Sequence, residues 1–221
     1  MKKIKLFDPV IGISEEREII KILRSGFWAS GSGSGKVQEF EKKFSKYLNS
    51  DQCVAVNSGT AALNLALSLL DIKNKEVILP SLSFVATAHA VTLNGGKPVF
   101  ADVDSETLCI DPKQIMKLIT KKTAAILPVH FAGIACNLNE ISQLCQENNI
   151  KLIEDAAHAA GTKYDGRKIG SHSMAVCFSF HPVKNLGMPT GGLISINHVN
   201  HRKLKKILNE KRWCGITNRH G

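Results

Sequence analysis

Three short stretches carry side chains suited to chemistry, and each follows a run of apolar residues. In "VAVNSGTAALNLAL" the run gives way to Ser58-Gly59-Thr60, and a helical pattern begins there. Free backbone N–H groups at a helix start, beside a small hydroxyl and a glycine that permits close approach, can cradle a phosphate. The same triplet also suits an ordinary N-cap. In "KLIEDAAHAAG", Asp155 ends the apolar run and small residues follow. It can cap a turn, or it can pair with a protonated ring nitrogen while the alanines leave room for a flat ligand. In "CFSFHPVKNLGMPTGG", Ser179 sits on the run and a His-Pro turn presents a single lysine, Lys184. That lysine is either an ordinary surface residue or an amine held in a pocket to condense with a carbonyl.

These groups can meet only if the elements behind them converge. Helical periodicity opens the chain over Ser14–Leu23, with Ser14 as N-cap followed by Glu15 and Glu16. "SGFWASGSGSG", Ser25 to Gly35, has a linker's composition, but Phe27 and Trp28 argue for an ordered loop that packs on something, such as a second subunit. Beyond it, strands are expected at Cys53–Asn57, Glu76–Pro80, Pro98–Ala101, Ala124–Pro128, Lys151–Glu154, Ala175–Phe180 and Leu193–Ile196. Helices are expected at Val37–Leu48, Thr60–Leu70, Phe84–Leu93, Pro112–Ile119 and Leu138–Glu147, with a last one from His198. Strands alternating with ten-residue helices predict an α/β, three-layer αβα sandwich around a mainly parallel sheet. Ligands in such folds bind beyond the carboxyl ends of the strands, where the three stretches lie.

Composition sets limits on function. The 221 residues are 43% hydrophobic and 22% charged, ordinary for a soluble globular protein. No apolar run reaches membrane-spanning length, and Asp8 and Pro9 interrupt the basic N-terminus before a signal sequence could form, so a cytoplasmic location is expected. Six scattered cysteines without a CxxC pair read as small buried residues of a reduced compartment. His198 and His201 lack nearby ligand partners, so no metal site is expected. The net charge of +10 is concentrated in residues 202–221, where seven Lys or Arg face one acid. Leu204, Ile207 and Leu208 at helical spacing make that segment a solvated helix face with a buried stripe, and no interleaved aromatics point to nucleic acid.

A phosphate cradle, a carboxylate and a lysine at three strand ends match the needs of pyridoxal 5'-phosphate: an anchor, a partner for the pyridinium nitrogen, and an amine for the aldehyde. No GxGxxG follows a strand and no GxxxxGK[ST] occurs. The motifs "LRSGFWASG", "VAVNSGTAALNLAL", "PSLSFVATAHAV", "PVFADVDSETLCIDP", "LPVHFAG", "IEDAAHAAG", "FSFHPVKNL" and "RWCGI" extend over nearly the whole chain. With them the sequence resembles the DegT/DnrJ/EryC1/StrS sugar aminotransferases, pyridoxal-phosphate enzymes of fold type I.

The resemblance implies roles residue by residue. Lys184 would be the cofactor-bearing lysine and proton shuttle, and Asp155 the partner of the ring nitrogen. Ser58, Gly59, Thr60 and Ser179 would hold the phosphate. Phe84 would stack on one ring face with Ala157 against the other, although by themselves both residues suit plain core packing. His158 would meet the ring's phenolic oxygen. The lysine amine would be kept neutral by a desolvated pocket near other positive charge. Also implied are an amino-acid donor, glutamate being the expected one, a nucleotide-linked keto-sugar acceptor and a homodimer. Alternatives are a dehydratase of the same family, whose members carry His in place of the lysine, and an inactive cofactor-binding fragment. The expected organisation is an N-terminal helix and loop over 1–35, a cofactor-binding large domain over 36–197, and over 198–221 the start of a connection to a small domain that the sequence does not contain. Without that domain, the chain is expected to be poorly active or inactive by itself. Thr190 stands where the family carries an acid, in "MPTGG".

Overall fold

Runs such as EVILP and AVCFS show no polar alternation, which requires cover on both faces of the sheet. The computed structural model, which describes residues 5, 8–28 and 35–216, supplies that cover. Seven strands form one sheet: β1 (Gln52–Val56), β2 (Glu76–Pro80), β3 (Lys97–Ala101), β4 (Thr123–Ile126), β5 (Lys151–Asp155), β8 (Ala175–Ser179) and β9 (Gly192–Ile196). Their order is β1-β9-β8-β5-β4-β2-β3; β9 runs antiparallel to both neighbours and the other pairings are parallel. The helices are α1 (Ile13–Ser25), α2 (Gly35–Leu48), α3 (Gly59–Leu67), α4 (Val85–Leu93), α5 (Pro112–Leu118), α6 (Leu138–Glu147) and α7 (His201–Arg212).

Side chains alternate along each strand between two cores. Val77 and Leu79 join Leu63, Leu67, Val91 and Leu208 from α3, α4 and α7. Ile78, Val176 and Phe178 join Phe44, Ile115 and Ile141 from α2, α5 and α6. Fully buried Leu67 and Ile115 each contribute about 1.5–3 kcal/mol by leaving water. The three layers are therefore helix, sheet, helix, as the alternating pattern predicts. Leu208 is the buried centre of the expected stripe on α7, with Leu204 and Ile207 half-buried beside it.

Several expectations are corrected. The first helix begins at Ile13, capped by Gly12 rather than Ser14: the Gly12 amide donates to Glu15 Oε2 at 2.8 Å, and the Ser14 hydroxyl donates to the same oxygen. Glu15 reaches back over the N-terminus, which moves the cap two residues upstream. The last helix starts at His201, because residues 198–200 form a turn in which the Asn200 amide donates to His198 Nδ1. Cys214 is exposed, unlike the other five cysteines. A hairpin of β6 (Lys163–Tyr164) and β7 (Arg167–Lys168) is additional; Asp165 and Gly166 take φ of 46° and 75°, the primed turn that Asp-Gly favours. Of the Gly/Ser-rich loop, residues 29–34 lie outside the described residues; Phe27 and Trp28 are exposed. Among the described residues no helix is long and apolar enough to cross a membrane.

Candidate functional site

β1, β8 and β5 end on one edge of the sheet, with β9 between β1 and β8, and the residues at or just past their ends meet in a cavity of about 260 Å³. Eight of the nine residues singled out in the sequence line it: Ser58, Gly59, Thr60, Phe84, Asp155, Ala157, Ser179 and Lys184. His158 does not. Its ring lies edge-on to Phe131, and its Nδ1 accepts from the Ala132 amide at 3.2 Å. Burial, followed by the Lys184 charge, holds its pKa below the ordinary histidine value.

At the cradle both readings of Ser58 hold together. Its hydroxyl caps α3 by accepting from the Ala61 amide at 3.1 Å, and the same residue lines the cavity. The amides of Gly59 and Thr60 stand at the helix start, where free N–H groups can receive an anion. The approach is tight. A Cβ on Gly59 would stand 2.7 Å from Ser179 Cβ, and one on Gly192 would overlap the Ser58 carbonyl. Ser58 and Gly191 form a parallel bridge, and the Thr190 hydroxyl donates to Asn57 O at 2.8 Å. Thr190 thus ties the loop after Lys184 to the cradle. Gly59→Ala is expected to force the start of α3 away from the end of β8 and cost about 1–3 kcal/mol. Denaturant titration checks this, and an unchanged midpoint would mean that Ser179 yields without cost.

Asp155 is buried and faces the α3–α4 side, while its neighbour Glu154 faces the opposite side and pairs with fully buried His130 at 2.8 Å. Asp155 Oδ1 accepts from the Ala157 amide at 3.1 Å and Oδ2 from the Thr87 hydroxyl at 2.9 Å. Burial nevertheless pushes its acid up, and the two hydrogen bonds and the charges of His130 and His158 only oppose that push. A carboxylate has further acceptor capacity. A buried carboxyl penalised for its charge, on a cavity wall, suits a cationic group carried by a ligand.

Lys184 is half-buried past the His-Pro turn, where its amide donates to His181 O at 2.8 Å. Burial lowers its pKa, leaving more neutral amine; Asp155 pulls the other way. The expected help from neighbouring positive charge is not among the causes, so desolvation carries the shift. Phe84, at the N-cap of α4, is 73% exposed, which excludes core packing, and Ala157 is half-buried. Thr87 and His181 also line the cavity. Thr87 could have been noticed as the polar residue one turn after Phe84 in an apolar helix; His181 stood in the quoted turn. Phosphate donors, a charge-starved carboxyl and a desolvated amine around one cavity fit pyridoxal phosphate.

A mainly parallel sheet with helices on both faces and a lysine-bearing turn beyond β8 is the large-domain fold of type I pyridoxal-phosphate aminotransferases. Residues 9–220 match the DegT/DnrJ/EryC1/StrS aminotransferase family, and the chain belongs to it. It is 43% identical over 188 residues to the spore coat polysaccharide biosynthesis protein SpsC of Bacillus subtilis, covering 85% of this chain and 48% of that protein. The pyridoxal-phosphate form of the putative sugar aminotransferase Spr1654 from Streptococcus pneumoniae superposes with a TM-score of 0.89 at 30% identity, over 94% of this chain and 57% of that one. An aminotransferase from Psychrobacter cryohalolentis gives 0.83 at 32%, over 91% and 51%. The chain spans about half the length of the curated relatives it matches.

Proposed function

We propose that this chain is the cofactor-binding part of a pyridoxal-phosphate-dependent aminotransferase that moves an amino group from an amino acid, glutamate in our reading, to a nucleotide-linked keto-sugar. The setting would be the assembly of cell-surface polysaccharide or secondary-metabolite sugars in the cytoplasm. The observation that carries the reading is the convergence of Lys184, Asp155 and the Ser58–Thr60 cradle on one cavity from three strand ends. SpsC, named for polysaccharide biosynthesis, supports the sugar context.

The bound cofactor supplies an aldehyde for an amine and an electron-withdrawing protonated ring. The chain's residues do the rest. Gly59, Thr60 and Ser179 hold the phosphate, and Ser58 keeps the helix start open to it. Asp155 holds the proton on the ring nitrogen, and the incoming cation relieves the burial penalty on its carboxylate. Phe84 and Ala157 would bound the two ring faces; His158 is assigned to the phenolic-oxygen side by family analogy, although it does not line the cavity. Lys184 would hold the cofactor's aldehyde, and its neutral amine would serve to move a proton at the substrate carbon. A lysine at this position argues against the dehydratase alternative. We assign residues 36–197 to the large domain, 1–35 to an N-terminal helix and loop, and 198–221 to a connection toward a small domain, with a homodimer as the working assembly.

Purified protein supplied with pyridoxal phosphate should form 2-oxoglutarate from glutamate beyond one equivalent per site only when a nucleotide keto-sugar is present. Asp155→Asn should slow that turnover on the order of 10²-fold or more, because an amide cannot hold the ring proton. Near-normal turnover in the variant would reduce Asp155 to a structural group.

A further inference from the structure

Helix α4 brings two side chains to the cavity, three positions apart. Phe84 stands at its N-cap, and Thr87 lies in its first turn. Thr87 is fully buried on a helix whose other buried residues are Ala86, Ala90 and Val91. A threonine hydroxyl in a helix commonly bonds back to its own preceding turn. This one instead crosses to the sheet and donates to Asp155 Oδ2 at 2.9 Å, over 68 positions of sequence. Asp155 has a second donor, the Ala157 amide on Oδ1. His130 and His158 act on it through charge alone, Lys184 feels its charge in return, and Glu154 points to the other face. Among the described residues the hydroxyl is therefore the side-chain group that hydrogen-bonds this carboxylate.

We propose that Thr87 is a positioning residue for Asp155: its hydroxyl keeps the buried carboxylate ionised and aimed into the cavity, ready for the cationic ring nitrogen of the cofactor. The inference rests on the cofactor reading given above. A purely structural Thr87 would be replaceable by isosteric valine with a change in stability alone. A positioning Thr87 would not, because removing a donor to a buried charged group leaves that charge under-solvated.

The test uses Thr87→Val and Thr87→Ser in the purified protein. In cofactor-free protein, the infrared carboxyl band of Asp155, identified by its loss in Asp155→Asn, should titrate at a pH about one unit higher in the valine variant, a tenfold change in the ionisation constant. Pyridoxal-phosphate affinity should fall about 10-fold in the same variant. Serine, which keeps the hydroxyl, should restore both within about 3-fold. Should valine prevent folding, Thr87→Ala reads the same loss. A valine or alanine variant that keeps the wild-type midpoint and affinity overturns the role of Thr87 alone. Wild-type protein that binds no cofactor overturns the parent reading, and this one with it.

Discussion

Lys184→Ala should leave a folded protein that binds pyridoxal phosphate weakly and transfers no measurable amino group, a rate loss on the order of 10⁴-fold or more. The expectation follows from placement. The Lys184 amide is fixed to the His181 carbonyl, its side chain is half-buried on the cavity wall, and desolvation shifts it toward the neutral amine that condensation needs. Among the described residues no other lysine lines the cavity. Lys163 and Lys168 lie on the β6–β7 hairpin, and the Lys168 ammonium is bonded to Tyr47 O at 3.0 Å and stacked over the Tyr47 ring. Borohydride reduction of the cofactor-loaded protein, followed by peptide mapping, should place the label on the peptide containing Lys184. A label on Lys163 or Lys168, or turnover surviving in the alanine variant, would remove Lys184 from the chemistry.

The largest stability effect is expected at Glu41, which does not line the cavity. This carboxylate on α2 is 1% exposed; its Oε1 accepts from the Ala55 amide at 2.9 Å and from Arg212 Nη1 at 2.6 Å. Arg212 Nη1 also donates to Ala55 O, Arg212 Nη2 donates to Asn209, and Lys205 lies 3.5 Å from Glu41 Oε2. One side chain thus joins α2, β1 and α7. Glu41→Ala leaves a mostly buried guanidinium and a strand amide without their acceptor. Breaking one partner of such a pair costs about 3–5 kcal/mol, a large share of an ordinary domain's stability of about 5–15 kcal/mol. Urea unfolding should show the loss in the midpoint. Glu41→Gln, which keeps an acceptor, should recover part of it. A loss under about 1 kcal/mol in the alanine variant would mean that water replaces the carboxylate freely.

What the sequence disclosed, and what it did not, divides along range. The cavity residues were legible because each follows its own strand within a few positions, so a local reading of strand and turn places them at the carboxyl edge. Alternation along β5 separates Asp155 from Glu154 in the same way. Thr87 was not legible as a partner of Asp155, since its role depends on α4 packing against α3 and the sheet so that its first turn meets the end of β5. The direction of β9 was also hidden: a glycine-flanked apolar run looks the same whether it pairs parallel or antiparallel. Glu41 and Arg212 read as ordinary surface charges until α2 and α7 close over β1. The β6–β7 hairpin had a local signal in its Asp-Gly pair, but two-residue strands offer no apolar alternation to accompany it. The N-cap moved because a glycine can cap a helix through a carboxylate three residues ahead, which a search for hydroxyls passes over.

The insertion of β9 between β1 and β8 has a consequence for the order in which the molecule is made. Among the described strands β1 hydrogen-bonds only to β9, so Gln52 must wait for Ile196 before it joins the sheet. The helix start that would receive a phosphate hangs on β1, and the bridge that seats it, Ser58 to Gly191, is equally remote in sequence. On the ribosome, the first of the described strands to emerge is therefore among the last to be zipped in. The central parallel strands can assemble early, while closing so long a loop weighs on the rate of the final step. The anion cradle is a late product of synthesis, and a nascent chain halted before residue 192 would display a nearly whole sheet that has no place to seat a phosphate.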